Sequence, residues 1–289
     1  RNVGCTVNPA ILRPGLDTSL VRTDSPKHVV VIGAGPAGLQ AAITADKVGH
    51  KVTLVEKDGE VGGLIRLIAR EHYKSEFKDY LDYMRRQLDK SHVDLRLNTP
   101  ATPDYIRSLK PDRLIIAIGA EPVTPPVEGI DGPNVMGFRQ AIMEPETIGD
   151  RVAVIGGGVV GIELALGLSL EEGKEVHVIE MGDQIAATAN MLYQTGIKEA
   201  ISRAKTLKIH LKTTLKKVNF DSVVAEPANA SAATLSVDTV IVAAGLRPKT
   251  AEAHSFYGIV PDTLITGDCK APRIVMEANF EGYAAGNKK

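Results

Sequence analysis

Short apolar runs punctuate the chain at intervals that suit buried strands joined by helices. Val29–Ile32, Val52–Val55, Leu114–Ile118, Val152–Ile155, Val176–Ile179 and Val240–Val242 are each four or so residues long and mostly β-branched. Continuous apolar runs of that length read as strands buried on both faces of a parallel sheet. Between the first two, residues Pro36–Val48 read as a helix, and a second helix contains Glu163 and continues through Leu168. Phe77, Tyr80, Leu81, Met84 and Leu88 recur at helical spacing and read as the core stripe of an amphipathic helix. Residues 211–239 read as short strands joined by a loop around 226–233 rich in Ala, Asn and Ser. A last strand, Thr263–Ile265, precedes a helix expected over Pro272–Ala285.

Two stretches carry more than a fold pattern. Gly33, Gly35 and Gly38 follow the first strand at G-x-G-x-x-G spacing, and Glu56 ends the next strand 18 residues after Gly38. The first glycine makes the tight turn, the second lets a pyrophosphate approach the backbone, and the third packs helix on strand. The helix N-terminus offers N–H groups and a positive dipole to phosphates, and an acid at the strand end can hold ribose hydroxyls. The unit recurs: Gly156, Gly158 and Gly161 follow the strand at Val152, and Glu180 ends the next strand 19 residues after Gly161. A carboxylate there accepts from a ribose 2′-OH and repels a 2′-phosphate. With no Arg in the next several residues, NADH is favoured over NADPH.

Other positions support this pattern. Gly62–Gly63 gives a small-residue turn past Glu56, suited to lying under the same dinucleotide or to a plain loop. Gly119 and Gly245 each end a strand before a proline, where a chain can cross between domains. Asp268, after Gly267, can bond a polyhydroxy chain or cap the following helix. Of the two cysteines, Cys5 and Cys269, the latter reads as a small buried residue.

Composition narrows the classes. The 289 residues suffice for two domains, and a formal charge of −1 points to no polyanion or acidic membrane as partner. No run is apolar enough to span a bilayer, Trp is absent, and the seven histidines show no metal-ligand spacing. No nucleic acid, membrane or resident metal is therefore expected. Two cysteines exclude a disulfide framework and suit a reducing, cytoplasmic setting. Residues 1–26 lack any period and read as a linker arm from a preceding domain.

Taken in order, these motifs resemble the flavoproteins with two dinucleotide-binding domains, over residues 27–286. The implied fold class is α/β: two Rossmann-like domains, the second inserted in the first. The expected boundaries are 27–145 with 246–289 for an FAD domain and 146–245 for an NAD(H) domain. The candidate FAD-binding residues are Gly33, Gly35, Pro36, Ala37, Gly38, Glu56, Lys57, Gly62, Gly63, Leu64, Gly119, Ala120, Gly267 and Asp268. The candidate NAD-binding residues are Gly156, Gly158, Val159, Val160, Gly161, Glu163, Glu180 and Gly245. No catalytic residue is assigned, because hydride transfer between the cofactors needs no side-chain acid or base.

Cys5-Thr6-Val7-Asn8-Pro9 further resembles a segment of the NADH:flavin oxidoreductases related to 2,4-dienoyl-CoA reductase, 2-enoate reductase and trimethylamine dehydrogenase. In that family the segment follows an FMN-binding barrel, and its cysteine is the fourth ligand of a [4Fe–4S] cluster. This chain has neither the barrel nor the other three cysteines. The resemblance implies the C-terminal, electron-input half of such an enzyme: NADH reduces FAD, and a cluster and FMN then reduce an enoate or enoyl thioester. Two alternatives are a structural module holding ADP, as in trimethylamine dehydrogenase-like proteins, and a reductase feeding another redox protein. A disulfide reductase is disfavoured, since no cysteine pair follows the first glycine motif.

Overall fold

The computed structural model describes residues 4–11, 20–71 and 74–288. Residues 1–3 and 12–19 of the expected arm lie outside them. The chain divides into two compact units, Arg1–Glu121 with Arg247–Lys289, and Pro122–Leu246.

The first leg holds β1 (His28–Ile32), α1 (Pro36–Val48), β2 (Lys51–Val55), α2 (Ile65–Ile68), α3 (Glu76–Asp89), β3 (Asp94–Arg96), α4 (Pro103–Ser108), β4 (Arg113–Ile116) and β5 (Ala120–Pro122). The second unit continues with β6 (Val135–Gly137), α5 (Phe138–Met143), β7 (Arg151–Ile155), α6 (Val159–Leu170), β8 (Glu175–Ile179), α7 (Met191–Arg203), β9 (Leu207–His210), β10 (Thr213–Val218), β11 (Ser222–Pro227), β12 (Ala233–Ser236) and β13 (Thr239–Val242). The return leg is β14 (Leu246–Pro248), α8 (Thr250–His254), β15 (Thr263–Ile265) and α9 (Val275–Gly286). β14 pairs with β5 where the chain crosses.

Each unit is built on a five-stranded parallel sheet, β15-β4-β1-β2-β3 in the first and β6-β13-β7-β8-β9 in the second. In both, the strand that precedes the glycine turn lies centrally, between the next strand and a later one. Order reverses there, which opens a crevice at the strands' carboxyl ends. Alternate residues serve opposite faces. Val29, Val31 and Leu54 pack with Leu39, Ala42 and Met84 on one side. Val30, Ile32 and Leu114 pack with Ile106 and Phe256 on the other. In the second unit, Val152, Val154 and Val178 meet Ile162 and Ile197. Ala153, Ile155 and Ile179 meet Leu215, Val223 and Ala225 of the antiparallel sheet β10-β11-β12.

The boundary differs from the expected 145/146. It falls at Glu121/Pro122, because β6 pairs with β13 and so belongs to the second sheet. α9 starts at Val275, three residues later than expected: residues 271–274 carry no helix and Asp268 Oδ1 accepts from the Arg273 N–H at 3.2 Å. α7 has no counterpart in the sequence reading. Only Ile197 of it is buried, and its start is set by the Asn190 side chain, which accepts from the Tyr193 N–H at 2.9 Å.

Candidate dinucleotide sites

The turn after β1 is shaped by steric exclusion. Gly33 has φ of 95°, and a Cβ on it would stand 2.5 Å from the Ala117 carbonyl oxygen, which follows β4. A Cβ on Gly38 would stand 1.8 Å from the Gly33 carbonyl oxygen. Gly35 is different: its φ of −73° suits any residue, and nothing lies within 4 Å of where its Cβ would point. The backbone is therefore bare at the head of α1, where Pro36 takes the first position and no side chain caps the helix. A pyrophosphate fits such a place, with the helix N–H groups and dipole to receive it.

Glu56 ends β2 nearly buried, 8% exposed. Its Oε2 accepts from the Ala34 N–H at 2.6 Å and its Oε1 from the Asp58 N–H at 2.9 Å. Each carboxylate oxygen keeps a further lone pair for a ribose hydroxyl. Gly62 donates its N–H to the Ala34 carbonyl at 2.8 Å, and a Cβ on Gly63 would come within 3.0 Å of Gly35 Cα. The paired glycines thus lie against the first turn, with Leu64 leading into α2, while the Lys57 side chain is exposed.

The second unit repeats the geometry part for part. Gly156 has φ of 109° with the Ala243 carbonyl oxygen 2.4 Å from its would-be Cβ, and a Cβ on Gly161 would reach the Gly156 oxygen at 2.0 Å. Gly158 faces open space at the head of α6, which has no side-chain cap and begins with Val159 and Val160. Glu180 Oε2 accepts from the Gly157 N–H at 2.6 Å, and Oε1 from the Gly182 N–H at 2.5 Å. Hydrogen bonds to a charged acceptor contribute about 1.5–3 kcal/mol each, enough to hold either glutamate in one rotamer. Glu163 is buried in α6, 3% exposed.

Gly119 and Gly245, with φ of 75° and 105°, both have open space on the Cβ side, and Ala120 is buried beside the first. Gly267 lies against Ala37: a Cβ on it would come 2.8 Å from the Ala37 Cβ. Glu281 Oε2 holds the Gly267 N–H at 2.9 Å. Asp268 does not cap α9, whose N-cap is Ile274. Burial raises the Asp268 carboxyl above the usual carboxylate range. The Cys269 thiol is 2% exposed, donates toward the Ile116 and Thr266 carbonyls, and is pushed up by burial. It is a packed thiol and not a nucleophile.

The sequence reading missed the main-chain donors of Ala34 and Gly157, because a backbone N–H leaves no trace in residue type. It also gave Glu281 no role of its own, although the Glu281 and Arg273 side chains are hydrogen-bonded.

Two parallel-sheet units, each with an open glycine turn, an uncapped helix and a tethered glutamate, define an α/β protein built to hold two dinucleotides. The chain belongs to the pyridine nucleotide-disulphide oxidoreductase family, whose pattern matches residues 27–260. It is 34% identical over 272 residues to the bilirubin reductase of Mediterraneibacter gnavus, covering 94% of this chain and 42% of that protein. It is 30% identical over 283 residues to the cinnamate reductase of Clostridium sporogenes, covering 97% and 42%. It superposes on a 2-naphthoyl-CoA reductase solved with 2-naphthoyl-CoA at a TM-score of 0.90 and 32% identity, covering 99% of this chain and 43% of that one. The chain spans less than half the length of each of these relatives. The family implies FAD and NAD(P)H as cofactors and oxidoreduction as the activity. Among the described residues no helix is long and apolar enough to cross a membrane.

Proposed function

We propose that this chain is the electron-input module of a flavin oxidoreductase, taking reducing equivalents from NADH into FAD. The observation that carries the reading is the duplication of one complete site: an open glycine at an uncapped helix, with a glutamate fixed beside it by two backbone N–H groups. FAD is assigned to the first unit, at Gly33, Gly35, Gly38, Glu56 and the Gly62–Gly63 turn, with Gly267 and Asp268 beside Ala37. NADH is assigned to the second, at Gly156, Gly158, Gly161 and Glu180. When bound, the two cofactors supply the redox chemistry, a hydride passing from nicotinamide to flavin. The chain's own residues bind and orient: the helix N-termini receive the pyrophosphates and the glutamates the ribose hydroxyls. Glu180, held in place by two backbone N–H groups, supports NADH over NADPH.

Under the same reading, electrons pass beyond this chain to a [4Fe–4S] cluster and FMN that reduce the C=C bond of an enoate or enoyl thioester. The names of the cinnamate and 2-naphthoyl-CoA reductases support that substrate class. The residues of this chain alone do not fit a cluster. Cys5 offers one thiolate, Cys269 is buried on backbone carbonyls, and among the described residues no three metal-ligating side chains gather. Both cysteines as free thiols go with a reducing, cytoplasmic setting. The completeness of the second loop favours this reading over a purely structural ADP-binding module. The test is turnover of the FAD-loaded chain with NADH and ferricyanide as an artificial acceptor. NADH-dependent ferricyanide reduction is the expected result, and an FAD-loaded chain without it would count against the proposal.

A further inference from the structure

α9 carries an amide in the middle of its buried face. Asn279 has no exposed surface, and burial of an amide costs stability unless its polar atoms are paired. Its Nδ2 donates to the Thr6 carbonyl at 2.7 Å, and its Oδ1 accepts from the Tyr80 hydroxyl at 2.8 Å. A carbonyl only accepts, so the orientation of the amide is fixed and Tyr80 must be the donor. Burial holds the Tyr80 phenol well above its usual range, so it keeps that proton. The relay Tyr80–Asn279–Thr6 joins α3, α9 and the N-terminal segment. Gly4, on the other side of Cys5, lies against Met276, one turn before Asn279: a Cβ there would come 2.8 Å from the Met276 Sδ. Pro9 is buried. The residues flanking Cys5 are thus held on both sides by one helix.

The same helix reaches the first dinucleotide loop. Glu281 holds the Gly267 N–H, and Gly282 lies so close to α1 that a Cβ on it would stand 2.1 Å from the Ala37 carbonyl oxygen. An ordinary core hydrogen bond would account for Tyr80 with Asn279. It does not account for the third member, a main-chain carbonyl from a segment with no helix or strand of its own.

We propose that Asn279 is a positioning residue which, with Tyr80, docks the Cys5 segment on the first unit and so limits the access of reagents to the Cys5 thiol. The docking bears on electron transfer only under the function proposed above, in which electrons leave this chain; the docking itself rests on the geometry.

The test is the rate of Cys5 alkylation by iodoacetamide in the FAD-loaded chain, followed by peptide mass spectrometry so that Cys269 is scored apart. Asn279→Leu removes both bonds at similar volume and is expected to speed Cys5 alkylation about tenfold, the order a buried hydrogen bond carries. Tyr80→Phe removes one hydroxyl and is expected to give a smaller increase of the same sign; it decides alone if the leucine variant does not fold. FAD retention stays as in the wild type. A lower melting temperature with an unmoved Cys5 rate would make the relay a plain core contact and overturn the proposal. Addition of NADH to the same wild-type sample separates the two readings: failure to reduce the flavin counts against electron input and leaves the alkylation result standing.

Discussion

At Gly35 and Gly158 a single missing carbon decides what the loop can receive. Both have backbone angles open to any residue and empty space on the Cβ side, unlike Gly38 and Gly161, where backbone oxygens stand at 1.8 and 2.0 Å. Gly35→Val is therefore expected to leave the fold nearly as stable, within about 1 kcal/mol, while cutting FAD affinity by about a hundredfold or more. Thermal unfolding beside flavin titration checks it, and a valine variant that still purifies fully yellow would refute the first-site assignment. Under the proposed function, Glu180 sets the second choice. Glu180→Arg is expected to lower kcat/KM for NADH and raise it for NADPH, each by about tenfold. Because Glu180 also holds two backbone N–H groups, Glu180→Gln serves as the control: it keeps an acceptor, loses the charge, and should shift the preference less.

Among the elements, the edge of the second sheet carries a pH-sensitive pair. His177 on β8 and His210 on β9 stack with ring centroids 5.2 Å apart, and His177 Nδ1 lies 2.9 Å from His210 Nε2. One proton serves that contact, so two imidazoliums cannot keep it. Burial first, then the Lys208 charge, lowers the His177 pKa, although Glu175 pulls the other way. Burial, His177 and Lys208 lower that of His210. Both rings are thus neutral in the fold at neutral pH, and below about pH 6.5 the unfolded chain binds more protons, so stability falls as pH falls. The melting temperature should decline from neutral pH toward about pH 5, and His210→Phe should flatten that decline; an unchanged slope in the variant would remove the pair as its cause. The elements also show what a sequence gives away. α1 was legible to the residue, because Pro36 and Gly49 punctuate it, and α3 was legible as a helix without its ends, because a five-residue apolar stripe defines it. α7 was not, since it buries one side chain and holds Gly196 in mid-helix. β6 is three residues with no period, and missing its pairing with β13 put the expected boundary some two dozen residues late.

For the whole molecule, the pattern that mattered was repetition. Two glycine turns with two strand-end acids led to the proposal of two nucleotide sites, and each unit's sheet order places its turn at a reversal of strand order. Neither the donors of Ala34 and Gly157 nor the buried Asn279 relay was legible, because main-chain partners and long-range contacts leave no local signal. The sequence also says little of the final substrate: only the Cys5 segment and the lengths of the relatives point toward chemistry beyond this chain. The central claim is that both sites work together on electrons. The measurement that tests it most directly is the visible spectrum of the purified, FAD-loaded chain under anaerobic conditions, before and after stoichiometric NADH, with NADPH in parallel. The account predicts a flavin band that NADH bleaches and NADPH bleaches less. A colourless chain that binds ADP but refuses FAD, or a yellow one that NADH leaves unchanged, would contradict it.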